Sequence, residues 1–220
     1  MIIDLHVHTT LGSPDSGLTP QHLVAEAKRI GLDGVILTEH HYDWDREQVR
    51  ALAQQNGLTF IPSLEISTDL GHVSVLGLDG YTTGIYKAEV LRRLADEKGA
   101  FIIALHPFRF FPTRPEPSLS QATALPLVQL CDEIEVANGG CTPLENALAY
   151  RVAKSLGRQG VGGSDAHSIQ GLGCFATVFE GHPTTVQELI AELRAGRYHA
   201  VQGLPHGKLS PFVPTEWKTD

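Results

Sequence analysis

The sequence predicts an α/β fold whose sheet is largely parallel and closes, or nearly closes, into a barrel. Two observations carry this. Short apolar runs alternate with amphipathic stretches along the whole 220-residue chain, which is the pattern of βα units rather than of a sandwich. Polar residues of metal-binding type also sit at or just past the ends of those runs: His6, His8, Asp15, His40, Glu65, His72, His106, Glu135, Asp165 and His167. In a barrel of βα units the loops after the strands open on one rim, where chemistry is placed. Residues as distant in sequence as His6 and His167 then become neighbours.

The strand candidates are IIDLHV, GVILTE, TFIPSLEIS, VSVLGL, AFIIALH, DEIEVAN and GVGGSD, with CFATVFE as a further late run. Three helical faces lie between them. Leu23, Val24, Ala27 and Ile30 share one, with Thr19 and Pro20 at its start and Gly31 at its stop,. Leu144, Ala147, Leu148 and Val152 mark the second, closed by Gly157. The third runs through Val186, Leu189, Ile190 and Leu193, opened by Thr185 and Glu188 at capping-box spacing and followed by Gly196,. The segment 107–117, PFRFFPTRPEP, is too rich in proline for a helix and reads as a long loop over the rim,. Residues 203–220 read as an irregular tail. A single domain over 1–220 is expected, since α/β barrels of this length are commonly one unit.

Bulk properties exclude some functions. A formal net charge of -8 argues against a broad electrostatic grip on nucleic acid,. The three cysteines, Cys131, Cys141 and Cys174, lack CxxC spacing and suit a reducing compartment as small buried hydrophobes,. No stretch reaches the ~20 apolar residues of a membrane helix, and MIIDLHVHTT lacks the basic and long apolar segments of a secretory leader,. The expectation is a cytoplasmic protein with no membrane and no stable nucleic-acid complex.

Side chains two apart on a strand point to the same side, so His6 and His8 of DLHVH can grip one ion,. Asp4 shares their parity and is expected to accept a hydrogen bond from a ligand imidazole. GSDAH repeats the spacing with Asp165 and His167 after a glycine-rich run; an Asx-type turn with an exposed histidine is the plainer alternative,. His40 and His41 diverge, so at most one serves a given ion, and rim position favours His40, leaving Glu39 turned away or in support. Glu65 and Glu135 interrupt β-branched runs, where an unpaired charge is costly. His22, His182, His199 and His206 fall outside these patterns and read as structural or surface residues.

In order along the chain, DLHVHTT, PDSGLTP, TEHH, LEIS, GHVSVLG, ALHPFR, EVANG and GSDAH resemble the motifs of the PHP family, named for its polymerase and histidinol phosphatase members. The resemblance covers Asp4 to about Gly173. It implies a distorted (β/α)7 TIM-like barrel holding two to three divalent ions, manganese, iron or zinc, that hydrolyses phosphate esters. It assigns His6, His8, Glu65 and Asp165 to one ion. Glu65 would bridge to a second ion with His72 and His106, and Asp15, His40 and His167 would hold a third. Glu135 matches a position that supports a ligand rather than binding metal. Two departures stand out: the family commonly has aspartate where this chain has Glu39, and a glycine, aspartate or asparagine where it has His41.

The expected chemistry is in-line attack by a metal-bound water or hydroxide on a small phosphorylated substrate or nucleotide, with no protein nucleophile. Three divalent ions among three carboxylates leave such a site net positive even on an acidic chain. Arg109 is the candidate phosphate clamp, against a solvated loop arginine. Phe108, Phe110 and Phe111 would either stack on a substrate ring or form an apolar lid. The rival readings are an amidohydrolase-like enzyme acting on a non-phosphate bond and a catalytically silent metal-binding accessory module.

Overall fold

The computed structural model describes residues 1–41, 45–78, 80, 83–109 and 117–214. Ten strands are present among them: β1 (Ile2–Val7), β2 (Gly34–Glu39), β3 (Thr59–Thr68), β4 (Gly71–Leu76), β5 (Phe101–Ala104), β6 (Glu133–Asn138), β7 (Val161–Gly163), β8 (Phe175–Phe179), β9 (Tyr198–Gln202) and β10 (Ser210–Pro211). The helices are α1 (Pro20–Ile30), α2 (Arg46–Asn56), α3 (Ala88–Lys98), α4 (Leu119–Thr123), α5 (Pro126–Leu130), α6 (Pro143–Ser155) and α7 (Val186–Ala195). The three helices read from the sequence form with the expected ends. Thr19 caps α1 through a bond from the His22 amide, Gly31 closes it in the left-handed conformation, and Thr185 with Glu188 makes a complete capping box on α7,.

The strands form one sheet in the order β10-β9-β8-β1-β2-β3-β4-β5-β6-β7. Seven of them, β1, β2, β3, β5, β6, β7 and β9, run in one direction. The expected distorted (β/α)7 barrel is not what the ladder shows: the sheet is ten-stranded and its order is open. The first reason lies at β3 and β4, which form a hairpin across Asp69 and Leu70. Two residues cannot make the crossover that parallel neighbours need. The second is β8, which returns antiparallel onto β1 and takes the place a seventh βα unit would fill.

The sheet nonetheless curls until the end of β7 meets the end of β1. One bridge joins Val7 to Ala166, the Asp165 amide donates to the His6 carbonyl at 2.7 Å, and the His8 amide donates to Ala166 at 3.0 Å. The curl thus brings the rim together where His6 and Asp165 stand. A register irregularity between Asp4 and Val7 lies on the same stretch of β1, as irregularities that re-aim side chains beside sites do.

Burial follows from this topology. Every residue of β2 and β6 is buried, as parallel strands covered on both faces require. Ile3, Ile36, Ile61 and Ile103 meet the α7 residues Leu189 and Leu193 in one cluster, while Val7, Leu37 and the α1 residues Leu23 and Ala27 form another. The tail differs from its expectation. It makes a 3-10 turn at Leu204–His206, pairs β10 with β9 and buries Phe212 against Phe175; residues 215–220 lie outside the described residues. Phe108 is buried in the same cluster, and Phe110 and Phe111 also lie outside the described residues. Cys131 is buried as expected, but Cys141 and Cys174 are only half-buried, and all three are free thiols.

Gly163 makes the close approach of β7 possible. A Cβ there would lie 2.5 Å from the His6 Cβ and 2.7 Å from Glu135 Oε1. Gly163→Ala is therefore expected to destabilise the fold by about 1–3 kcal/mol, the usual cost of overpacking. Urea unfolding followed by circular dichroism measures it; an unchanged midpoint would show that β7 yields freely.

Candidate metal centre

Each strand end delivers its side chains to one rim. β1 supplies His6 and His8, the residue after β2 is His40, β3 carries Glu65, and β4, running the other way, presents His72 near its start at the same rim. His106 follows β5, Glu135 and Asn138 come from β6, and Asp165 and His167 follow β7. Asp15, on the loop after β1, reaches across to His40 and His167. His106 and Asp165 are the described non-glycine residues with positive φ, 28° and 54°. Both take that conformation where the chain leaves a strand to enter the rim, the kind of strain that gathers at sites.

The densest group is His6, His8, Glu65 and Asp165. His6 Nε2 stands 3.0 Å from His8 Nε2, 3.3 Å from Asp165 Oδ1 and 3.5 Å from Glu65 Oε2; His8 Nε2 stands 3.3 and 3.2 Å from the same two oxygens. The hydrogen bonds on the far sides of the rings assign their tautomers. His6 Nδ1 donates to Glu135 Oε1 at 2.9 Å, so its Nε2 carries a lone pair. His8 Nδ1 donates to Ser13 Oγ at 3.0 Å, because Ser13 commits its own proton to Glu39 Oε2 at 2.6 Å,. Two imidazole nitrogens thus lie between two carboxylate oxygens, all in side chains at most 5% exposed. Such a set repels itself unless a cation sits within it. An ion with bonds of about 2.0–2.1 Å holds tetrahedral donors about 3.3–3.4 Å apart, and the observed separations match.

Without metal, protons must fill that role. Burial disfavours charge on His6, yet Glu135 and Asp165 hold its pKa well above the ordinary value, and His8 is raised by Asp165 and Glu65 against its own burial. Burial alone would raise the pKa of Glu65, but His106, His6, His72 and His8 drive it far below the carboxylate range; Asp165 is likewise lowered, against burial, by His6, His8 and Arg109.

The second oxygen of Glu65 faces another pair. Oε1 lies 2.6 Å from His72 Nδ1 and 3.1 Å from His106 Nε2. Each carboxylate oxygen thus addresses a separate set of histidines, the geometry of a bridging ligand. The third group is looser: Asp15 Oδ2 is 3.4 Å from both His40 Nε2 and His167 Nε2, and the Asp15 side chain is 57% exposed. His41 is exposed, and its amide donates to the Gly12 carbonyl at 2.8 Å.

Glu135 is spent on support. Besides His6 it accepts from the His106 amide at 2.8 Å and from Asn138 Nδ2 at 2.9 Å. Asp4 departs from its expectation: it accepts from the amides of Ser164, Gly173 and His6, not from an imidazole. Burial pushes its carboxyl up to about 6 despite these bonds. Its task is to hold the β1–β7 closure. Arg109 also differs from a free clamp, since its guanidinium donates to Asp165 Oδ2 and, at 2.6 Å, to Asn138 Oδ1. Sequence reasoning missed Ser13, Thr9 and Asn138. Of these, only Asn138 left a signal, as a polar residue closing the EVAN run three places after Glu135.

Because protons stand in for the cation, metal uptake must expel them. Titrating zinc into metal-free protein at pH 7 is expected to release protons, seen as a binding enthalpy that varies with the ionisation enthalpy of the buffer. Affinity should fall as pH drops, since His6 and His8 hold their protons more tightly than free imidazole. An enthalpy independent of buffer would contradict the assigned protonation.

A PHP-associated family model matches residues 143–198. An uncharacterised protein of Methanocaldococcus jannaschii is 28% identical over 118 residues, which span 49% of this chain and 68% of that protein. A solved structure from Bifidobacterium adolescentis, described as a proposed metal-dependent phosphoesterase, superposes with a TM-score of 0.60 at 16% identity, over 88% of this chain and 96% of that one. An amidohydrolase from Chromobacterium violaceum, solved with bound sulfate, gives 0.55 at 18% identity over 75% and 87% of the two chains. At these identities the structural likeness concerns the fold. The resemblance to the PHP family carried by the motifs is therefore matched by a PHP-associated segment within the chain and by the fold of a proposed metal-dependent phosphoesterase.

Proposed function

We propose that this protein is a metal-dependent phosphoesterase that hydrolyses phosphate mono- or diesters of small molecules, nucleotides or short oligonucleotides. The carrying observation is Glu65, whose two oxygens face two different histidine sets within 2.6–3.5 Å. His6, His8, Glu65 and Asp165 would hold one divalent ion, Glu65, His72 and His106 a second, and Asp15, His40 and His167 a third. Bound there, such ions supply Lewis-acid polarisation of a phosphoryl group and activate water.

The remaining chemistry belongs to the chain. Glu135 keeps the His6 proton on Nδ1, leaving Nε2 as a donor to metal. Arg109 holds Asp165 ionised and oriented, so its contribution to phosphate binding is secondary to that task. The partly exposed side chains of Asp15, His40, His72 and His167 leave the rim open on one side, where a phosphate dianion can enter. The half-buried thiols do not compete with water as nucleophile, because burial pushes Cys141 and Cys174 up to about 12.

The amidohydrolase of similar fold favours a second reading, hydrolysis of a non-phosphate bond, and the same assay separates the two. Manganese-loaded protein offered phosphate monoesters, cyclic phosphates, short oligonucleotides, and amide and lactone esters is expected to turn over a phosphate ester; turnover confined to the non-phosphate panel would reverse the assignment. Glu65→Gln should abolish that activity and remove at least one ion by elemental analysis. Arg109→Ala should lower both turnover and metal content, because it releases Asp165, whereas a pure phosphate clamp would lose turnover alone.

A further inference from the structure

A buried chain of polar groups lies behind His8. Glu39 is fully buried, and so are His8 and Thr9, with Ser13 at 1% exposure. Both Glu39 oxygens are occupied by donors: the Thr9 hydroxyl on Oε1, the Thr9 amide at 3.1 Å from each, and the Ser13 hydroxyl at 2.6 Å from Oε2. A hydroxyl has one proton. Since Ser13 gives that proton to a carboxylate that can only accept, its lone pairs receive the His8 Nδ1 proton at 3.0 Å and the His40 amide at 3.2 Å,. The longer side chain of Glu39 fits because position 12 is glycine: a Cβ there would lie 2.5 Å from the Glu39 Cβ and 2.8 Å from its Cγ.

We infer that Ser13 and Glu39 are positioning residues that lock His8 in the tautomer whose Nε2 lone pair faces the ion, and that through the His40 amide they tie this ligand to the neighbouring histidine. The inference rests on the metal-binding reading above. Glu39 fixes the direction of the Ser13 proton, Ser13 fixes the proton of His8, and His8 is left with one nitrogen for metal. With a neutral acceptor at position 39 the Ser13 proton is free to point at His8 Nδ1, which drives the imidazole proton to Nε2 and blocks coordination.

Zinc affinity of the full chain, measured by chelator competition, tests this without reference to substrate. Ser13→Ala is expected to weaken binding by about ten- to a hundredfold, the range for loss of a group that orients a ligand. Glu39→Gln, nearly the same size but with one acceptor atom for three donors, should also weaken it. In a His8→Ala background the Ser13→Ala change should have almost no further effect, because the ligand it serves is gone. Zinc-loaded protein should also show a slowly exchanging proton on His8 Nδ1 by nitrogen-proton correlation, shifted in Ser13→Ala. Wild-type affinity in Ser13→Ala, an equal loss with and without His8, or a proton on His8 Nε2 overturns the relay. A wild-type chain that takes up no zinc overturns instead the metal reading beneath it.

Discussion

His6 Nε2 and His8 Nε2 lie 3.0 Å apart in a buried pocket, and each stands 3.2–3.5 Å from Glu65 Oε2 and Asp165 Oδ1. The arrangement is tolerable only around positive charge, and much of the surrounding structure serves to impose it. With His6 and His8 protonated, removing either carboxylate would leave buried positive charge uncompensated, a cost of several kcal/mol of the kind that breaking a buried ion pair carries,. Stability and function are therefore coupled at this point. The cation that would perform chemistry is also the one that would relieve the fold, so loading the protein should tighten the rim as well as activate it.

The fold meets this requirement at the β1–β7 seam. Gly163 lets β7 approach within the space of a methyl group, Asp4 gathers three amides from β1 and the loops after β7, and the left-handed turn at Asp165 swings its carboxylate inward. Glu135 performs the matching task on the other side. One oxygen fixes the His6 ring, while the other takes the His106 amide and Asn138. A single buried carboxylate thereby sets the tautomer of one candidate ligand and the backbone of another.

Much of this was legible because parity and strand-end position are written in the residues. The HxH and DxH spacings announced His6, His8, Asp165 and His167, and carboxylates interrupting β-branched runs announced Glu65 and Glu135. What stayed hidden depends on partners supplied by distant segments. Ser13 lies in a loop without periodicity, so nothing local showed that its hydroxyl meets His8 and Glu39. Arg109 read as an open cation because sequence does not reveal that Asp165 lies against it. In the fold, β9 and β10 escaped notice: His199 and Gln202 interrupt the first, and proline occupies half of the second. The hairpin direction of β4 was not legible, because the runs TFIPSLEIS and VSVLGL stand five residues apart in sequence and only the ladder shows that pairing extends to Thr68 and Gly71. Helix α2 buries only Val49 and Ala53, too narrow a face to stand out.

The candidate centre is graded from buried to exposed, and the grading bears on how it would work. The His6, His8, Glu65 and Asp165 donors are buried and supported by Glu135, Asp4, Arg109 and the Ser13–Glu39 pair, whereas Asp15, His40 and His167 stand partly in water. Burial together with the charge of His8 lowers the pKa of His40, so that imidazole is neutral and available as a ligand without first losing a proton. Its group is therefore ready to bind but weakly preorganised, the opposite of the inner set. An ion there would bind last and leave first, on the side from which substrate enters.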